Sequence, residues 1–305
     1  MPNRKQRYQG CLLGLAVGDA VGTTVEFRPR GSFEPLTDMV GGGPFRLRAG
    51  EWTDDTSMAL CLGYSLLERD GFDAEDQMRR YNDWRQHGYM SSNGRCFDIG
   101  NTVSEALNRY LRNGDPFAGS SNPFAAGNGS LMRLAPVPMF FGPDLERTIH
   151  FAGESSRTTH GAQECIDACR YFASLLLCAF GGADKESLLN CSLYQPETRR
   201  IRAIQQRCYR DKSAAEIRGS GYVVESLEAA LWCFEQTDSF AEAILSAANL
   251  GDDADTTAAV CGQVAGAFYG VDAIPAGWRE KTSMAGEIMA LADQLYRRAG
   301  EGMAG

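Results

Sequence analysis

The chain has only three histidines, no long uninterrupted apolar run and no surplus of positive charge. Each shortage excludes something. With Lys+Arg 30 against Asp+Glu 39, a net charge of -9 and a pI near 5.0, there is no basic face to hold nucleic-acid phosphates. The densest basic stretch, Arg199-Arg200-Ile201-Arg202, reads as a solvated helix face. No apolar stretch reaches membrane-spanning length. The run after Arg4-Lys5-Gln6-Arg7 is broken by Gly14, Gly18 and Asp19, so no secretory leader is expected and the chain reads as soluble and cytoplasmic. Alternating β-branched runs are scarce, so strands are not expected. The glycine run Gly41-Gly42-Gly43 lacks a following Gly-Lys-Ser/Thr and is not a phosphate loop. A metal-dependent phosphoesterase usually has histidine ligands, but His87, His150 and His160 all lie outside the acidic clusters described below.

Cysteine is plentiful, with ten residues, but most sit inside apolar helical patterns and read as buried free thiols. Cys165 and Cys169 lie near His160. No second paired cluster supplies the remaining ligands, which argues against zinc.

What is present is a nearly continuous succession of helical patterns. Tyr8 to Val21 opens it, with Gly10, Gly14, Gly18 and Gly22 every four residues, a bare face that another helix can approach closely. Later patterns cover 56–68, 75–86, 103–112, 145–153, 163–180, 185–193, 197–209, 223–235, 240–248, 256–269 and 279–298. The stretch 113–129 is rich in Gly, Pro, Ser and Asn and reads as a loop. With no repeat and no disordered linker, one all-α domain over 1–305 is the simplest organisation.

Two acidic clusters stand at helix starts far apart in the chain. They are Thr53-Asp54-Asp55-Thr56 and Gly251-Asp252-Asp253-Ala254-Asp255-Thr256. Either alone reads as a helix cap that complements the helix dipole. Two such clusters, each entering a packed apolar helix, ask for a compensating cation, because buried neighbouring carboxylates repel. Oxygen-only ligands suit hard ions such as Mg2+ or Mn2+. The second cluster is not an EF-hand, since Gln263 or Val264 stands where the bidentate glutamate belongs. A metal would therefore be caged between the two segments, with Asp252 turned elsewhere.

Other segments have ordinary readings of their own. Glu26 is a loop acid, and Asp98 or Asn101 caps a helix. Gly127-Asn128-Gly129-Ser130 is a turn opening a helix, whose exposed N–H groups would suit a diphosphate. His160 reads as structural, and Tyr222 as a packing residue at a helix start.

Taken together, from Gly14-Leu15-Ala16-Val17-Gly18-Asp19-Ala20 to Gly262-Gln263-Val264-Ala265-Gly266-Ala267, these segments resemble the ADP-ribosylglycohydrolase family over nearly the whole chain. The resemblance implies a compact multi-helix orthogonal bundle with two Mg2+ or Mn2+ ions held by Thr53, Asp54, Asp55, Asp253, Asp255 and Thr256. It implies catalytic roles for Asp98, Glu26 and Asp55. Asn101, Gly127, Asn128, Gly129, Ser130 and His160 would bind substrate, and Tyr222 would stack on adenine. Some relatives stack adenine on an aromatic just before the Gly-Asn-Gly loop; here that position is Ala126, with Phe124 two residues earlier. The implied substrate is an ADP-ribosylated protein, most readily one modified on arginine, and the product is ADP-ribose. Serine-linked, polymeric or O-acetylated ADP-ribose, and a non-catalytic crystallin-like relative, are the alternatives.

Overall fold

The computed structural model describes residues 1–301, and among them forms fourteen α-helices and no sheet. In chain order they are α1 Arg4–Gly22, α2 Asp54–Glu68, α3 Ala74–His87, α4 Asn101–Asn113, α5 Pro136–Phe141, α6 Leu145–Arg157 and α7 Gln163–Phe180. There follow α8 Lys185–Leu189, α9 Arg199–Gln205, α10 Val223–Glu235, α11 Phe240–Ala248, α12 Ala254–Tyr269, α13 Ala276–Lys281 and α14 Ala285–Glu301. None is long and apolar enough to cross a membrane.

The centre is the pair α1 and α12. Both are buried along most of their length, since their sequences are apolar on all sides rather than on one stripe. The glycines set their distance. A Cβ on Gly10 would stand 2.2 Å from the Gly266 carbonyl, on Gly14 2.4 Å from that of Gly262, on Gly18 2.1 Å from that of Ala258, and on Gly22 2.3 Å from that of Ala254. The partners descend along α12 as the glycines ascend along α1, so the helices run antiparallel with their backbones touching. This pairing brings the C-terminal end of α1 to the N-terminal end of α12, where the second acidic cluster begins. Helices α2, α7, α10, α11 and α14 pack around the pair, and their apolar faces close one continuous core.

Several elements depart from the periodicity. The expected helix over 279–298 is two helices. Thr282 ends α13 with its hydroxyl on the Trp278 carbonyl (2.7 Å), and the Ser283 N–H is drawn to Gly50 O (2.9 Å). The 197–209 pattern shortens to α9, followed by Arg207 at φ 56°. Cys178 and Cys191 are disulfide-bonded, which corrects the reading of the cysteines as free thiols at these two positions. The other eight are free, and six of them are buried. The basic run at the start of α9 is solvated as expected: Arg199, Arg200 and Arg202 are exposed.

A candidate metal centre and ligand cavity

Glycine spacing in α1 and one aspartate bring the two acidic clusters together. Asp19 lies one turn before the end of α1 and is fully buried. One of its oxygens accepts from Thr53 N–H (2.8 Å) and the Thr53 hydroxyl (2.9 Å). The other accepts from Thr56 N–H (3.0 Å) and the Thr56 hydroxyl (2.6 Å). Asp19 thus caps α2 from outside the helix. Thr53, at the N-cap position of α2, makes no cap bond with its own side chain, and neither does Asp253 at the N-cap position of α12. The Asp253 carboxylate is therefore not spent on capping, and the Asp19 cap leaves Asp54 and Asp55 free of that task.

The oxygens meet in two groups. Asp19, Asp55 and Asp255 each offer an oxygen within 4.8 Å of the others, and so do Glu26, Asp98 and Asp255. Asp255 is common to both. Thr53 Oγ1 is 3.1 Å from Asp255 Oδ2, and Thr256 Oγ1 is 3.4 Å from Asp55 Oδ2. Asp55 Oδ1 and Asp255 Oδ1 are buried with no hydrogen-bond partner. Both oxygens of Asp19 are occupied by donors, whereas Asp55 and Asp255 each keep one that is not. An anionic, oxygen-only donor set with orphaned buried oxygens fits a hard cation. These acidic residues could hold metal ions.

Burial drives the electrostatics. It raises the pKa of Glu26, with the charges of Asp98, Asp253 and Asp55 adding to the effect. Burial likewise lifts Asp54, Asp55 and Asp255 well above the usual carboxylate range, and their acidic neighbours push in the same direction. Asp98 is pushed up to about 7, chiefly by burial. The N-termini of α2 and α12 face this cluster and offset part of its charge.

Beside the carboxylates lies a cavity of ≈ 940 Å³, lined by Glu26, Asp54, Asp98, Asn101, Asp253, Asp255 and Thr256 and by Gly127, Asn128, Gly129 and His160. Asp252 is exposed at the cavity edge and belongs to neither acidic group, so it turns away from the cluster as expected. Three non-glycine residues at its edge have left-handed backbones: Phe27 (φ 60°), Asp98 (φ 59°) and Asp252 (φ 56°). Phe27 N–H donates to Asp252 O (2.7 Å), and Asp252 N–H to Arg28 O (2.9 Å), which ties the Glu26 loop to the second cluster.

The Gly127–Ser130 segment does not open a helix. It is a turn, pinned by Asn128 N–H to Gly221 O (3.0 Å) and Val223 N–H to Ala126 O (3.0 Å), and α5 begins only at Pro136. This tertiary pairing overrides the helical start. The Asn128 amide donates to Asp253 Oδ2 (2.6 Å), so its side chain braces the second cluster. Ser130 is fully buried against Ser156 (2.9 Å) rather than lining the cavity. Tyr222 lies in an adjoining cavity of ≈ 710 Å³ with Phe124, Glu164 and Arg200, and its hydroxyl donates to Glu164 and accepts from Arg200.

Sequence reasoning missed two residues. Asp19 hides in an apolar helix; a lone acid among buried glycines was its signal. Arg133 follows the turn, and its full burial had no sequence signature.

An all-α fold with an acid-lined cavity at the ends of two antiparallel helices defines the class: the chain belongs to the ADP-ribosylglycohydrolase family, whose profile matches residues 1–304. Among its relatives, ADP-ribosylarginine hydrolase Tri1 of Pseudomonas putida (strain GB-1) is 48% identical over 297 residues, covering 96% of this chain and 78% of that protein. The ADP-ribosyl-[dinitrogen reductase] glycohydrolase of Rhodospirillum rubrum is 34% identical over 310 residues, covering 98% of each chain. A solved structure described as an ADP-ribosylglycohydrolase-related protein complex superposes with a TM-score of 0.86 at 42% identity, covering 98% of this chain and 100% of that one.

Proposed function

We propose that this chain hydrolyses the N-glycosidic bond between ADP-ribose and a protein arginine, releasing ADP-ribose and unmodified arginine. The observation that carries the reading is the Asp255 carboxylate shared by two acidic groups, with orphaned oxygens on Asp55 and Asp255, at the wall of a cavity large enough for a nucleotide sugar. The name of the Pseudomonas putida relative supports the arginine linkage, and that of the Rhodospirillum rubrum relative supports a protein as the carrier of the ADP-ribose.

Thr53, Asp54, Asp55, Asp253, Asp255 and Thr256 would hold two divalent cations, Mg2+ or Mn2+. When bound, such ions polarise sugar hydroxyls and lower the pKa of water. The chain's own residues do the rest. Water adds to the anomeric carbon of the distal ribose as its bond to the guanidine nitrogen breaks, and positive charge develops on the ring. Asp55 and its neighbours stabilise that charge. Glu26 and Asp98 lie within reach of each other and keep a proton near neutrality. Asp98, the less buried of the two, delivers it to the departing nitrogen, and the Glu26–Asp98 pair takes up the proton that the attacking water loses, which restores its starting state. Asn101 and the Gly127–Ser130 turn with His160 position the substrate, and Tyr222 or Phe124 holds the adenine. The same reading takes residues 1–305 as one catalytic domain working in the cytoplasm.

The test is incubation with arginine- and serine-ADP-ribosylated peptides after EDTA treatment, with and without added Mn2+. Mn2+-dependent release of ADP-ribose from the arginine peptide supports the reading. Release from the serine peptide alone, or from neither, overturns it.

A further inference from the structure

The Gly127–Ser130 turn in the cavity wall is backed by a cation. Arg133 is fully buried and, among the described residues, forms no ion pair. It donates to Gly129 O (3.1 Å), Ser155 O (3.2 Å), Thr158 Oγ1 (3.2 Å) and Thr159 Oγ1 (2.8 Å), and its guanidinium lies 4.8 Å from the Tyr81 ring centre. A buried cation without a counter-ion is costly, which suggests that it has a task.

That task is visible one bond further on. Thr159 Oγ1 stands 2.8 Å from Nδ1 of His160. Arginine only donates, so the Thr159 oxygen receives an N–H, and its own proton is free to go to the ring nitrogen. The reverse arrangement, with Nδ1–H directed at an oxygen that already accepts from Arg133, would strand the buried hydroxyl proton. Nδ1 is therefore the acceptor, and the neutral ring carries its hydrogen on Nε2. That edge of the ring lies beside two glycines: a Cβ on Gly127 would be 3.3 Å from Nε2, and one on Gly129 would be 3.2 Å from it.

We propose that Arg133, acting through Thr159, is a positioning residue that fixes His160 as the neutral Nε2–H tautomer, a permanent hydrogen-bond donor to a diphosphate oxygen seated on the Gly127–Ser130 turn. The identity of the ligand rests on the function proposed above; the tautomer does not. Burial and the neighbouring Arg133 charge both lower the imidazole pKa, to about 3, so the ring does not charge near neutrality.

The test is long-range 1H–15N correlation on the full chain labelled with 15N-histidine, without ligand. His87 and His150 are exposed and serve as reference signals. His160 should show an unprotonated Nδ1 and a protonated Nε2, unchanged between about pH 5 and pH 8. Thr159→Val should mix the tautomers and weaken ADP-ribose binding about tenfold, the scale of one hydrogen bond to a charged group. Thr159→Ser should restore both, and Arg133→Met, if folded, should repeat the valine result. ADP should lose as much affinity as ADP-ribose, because both carry the diphosphate; a loss confined to ADP-ribose overturns the diphosphate as acceptor. A wild-type ring with its hydrogen on Nδ1, a ring charged near neutrality, or a Thr159→Val variant of unchanged ADP-ribose affinity overturns the proposal. If the wild-type chain binds no ADP-ribose, the proposed function fails, and the tautomer is still judged by the spectrum alone.

Discussion

The two walls of the cavity are electrostatic opposites. On one, Glu26, Asp98 and Asp255 crowd acidic groups together, with Asp55 buried beside Asp255, and oxygens of Asp55 and Asp255 go unpartnered. On the other, Arg133 places a positive charge behind a turn of small residues, and its hydrogens go mainly to backbone and hydroxyl oxygens. The first wall can accept a cation and the second an anion. Under the proposed function, the sugar would face the carboxylates and the diphosphate the Gly127–Ser130 turn.

The largest expected effect comes from removing the residue common to both acidic groups. Asp255→Ala should lower ADP-ribose release by about a thousandfold or more, the scale of losing a main electrostatic stabiliser. Near-normal turnover would show that the carboxylate wall is not the reacting side. Asp19→Asn leaves Asp55 and Asp255 in place but puts an amide against the Thr53 and Thr56 donors. It should weaken Mn2+ binding about 10–100-fold, as loss of an outer hydrogen-bond partner does, measured by titration calorimetry. Unchanged Mn2+ affinity would make Asp19 a helix cap only.

Gly129→Val tests the other wall. Its Cβ would stand 2.8 Å from His160 Cε1, so it should displace the ring and weaken ADP-ribose binding about tenfold. Mn2+ affinity should stay the same if the walls are independent. The smallest effect is on stability. Asp19 and Asp98 have raised pKa values in the folded chain, so between about pH 4 and pH 7 the native state binds more protons than the unfolded one, and stability falls as pH rises. Metal-free protein should be less stable at about pH 8 than at about pH 5, by about 1 kcal/mol or more in urea unfolding, and Mn2+ should remove the difference. A flat profile would mean that the carboxylates are already compensated.

Much of this was legible in the chain. The four-residue glycine spacing of α1 predicted a close helix contact, and the helix bounds over 163–180, 223–235 and 240–248 follow from apolar periodicity and match the structure. The acidic clusters pointed to a cation because their composition makes burial costly without one. Local pattern failed where distant backbone took over: at the Gly127–Ser130 turn, paired to Gly221 and Val223, and between α13 and α14, where Gly50 draws Ser283 away from a helix.

By itself, then, the sequence determined the helical class, the bare glycine face of α1, and which side chains are too charged to bury unaided. These depend on residue type and spacing, which act locally. Only the tertiary structure decided that Asp19 holds the start of α2, that Asp255 belongs to both acidic groups, and that Arg133 stands behind His160. Those are relations between residues remote in the chain, and their energies depend on distances that no local pattern encodes.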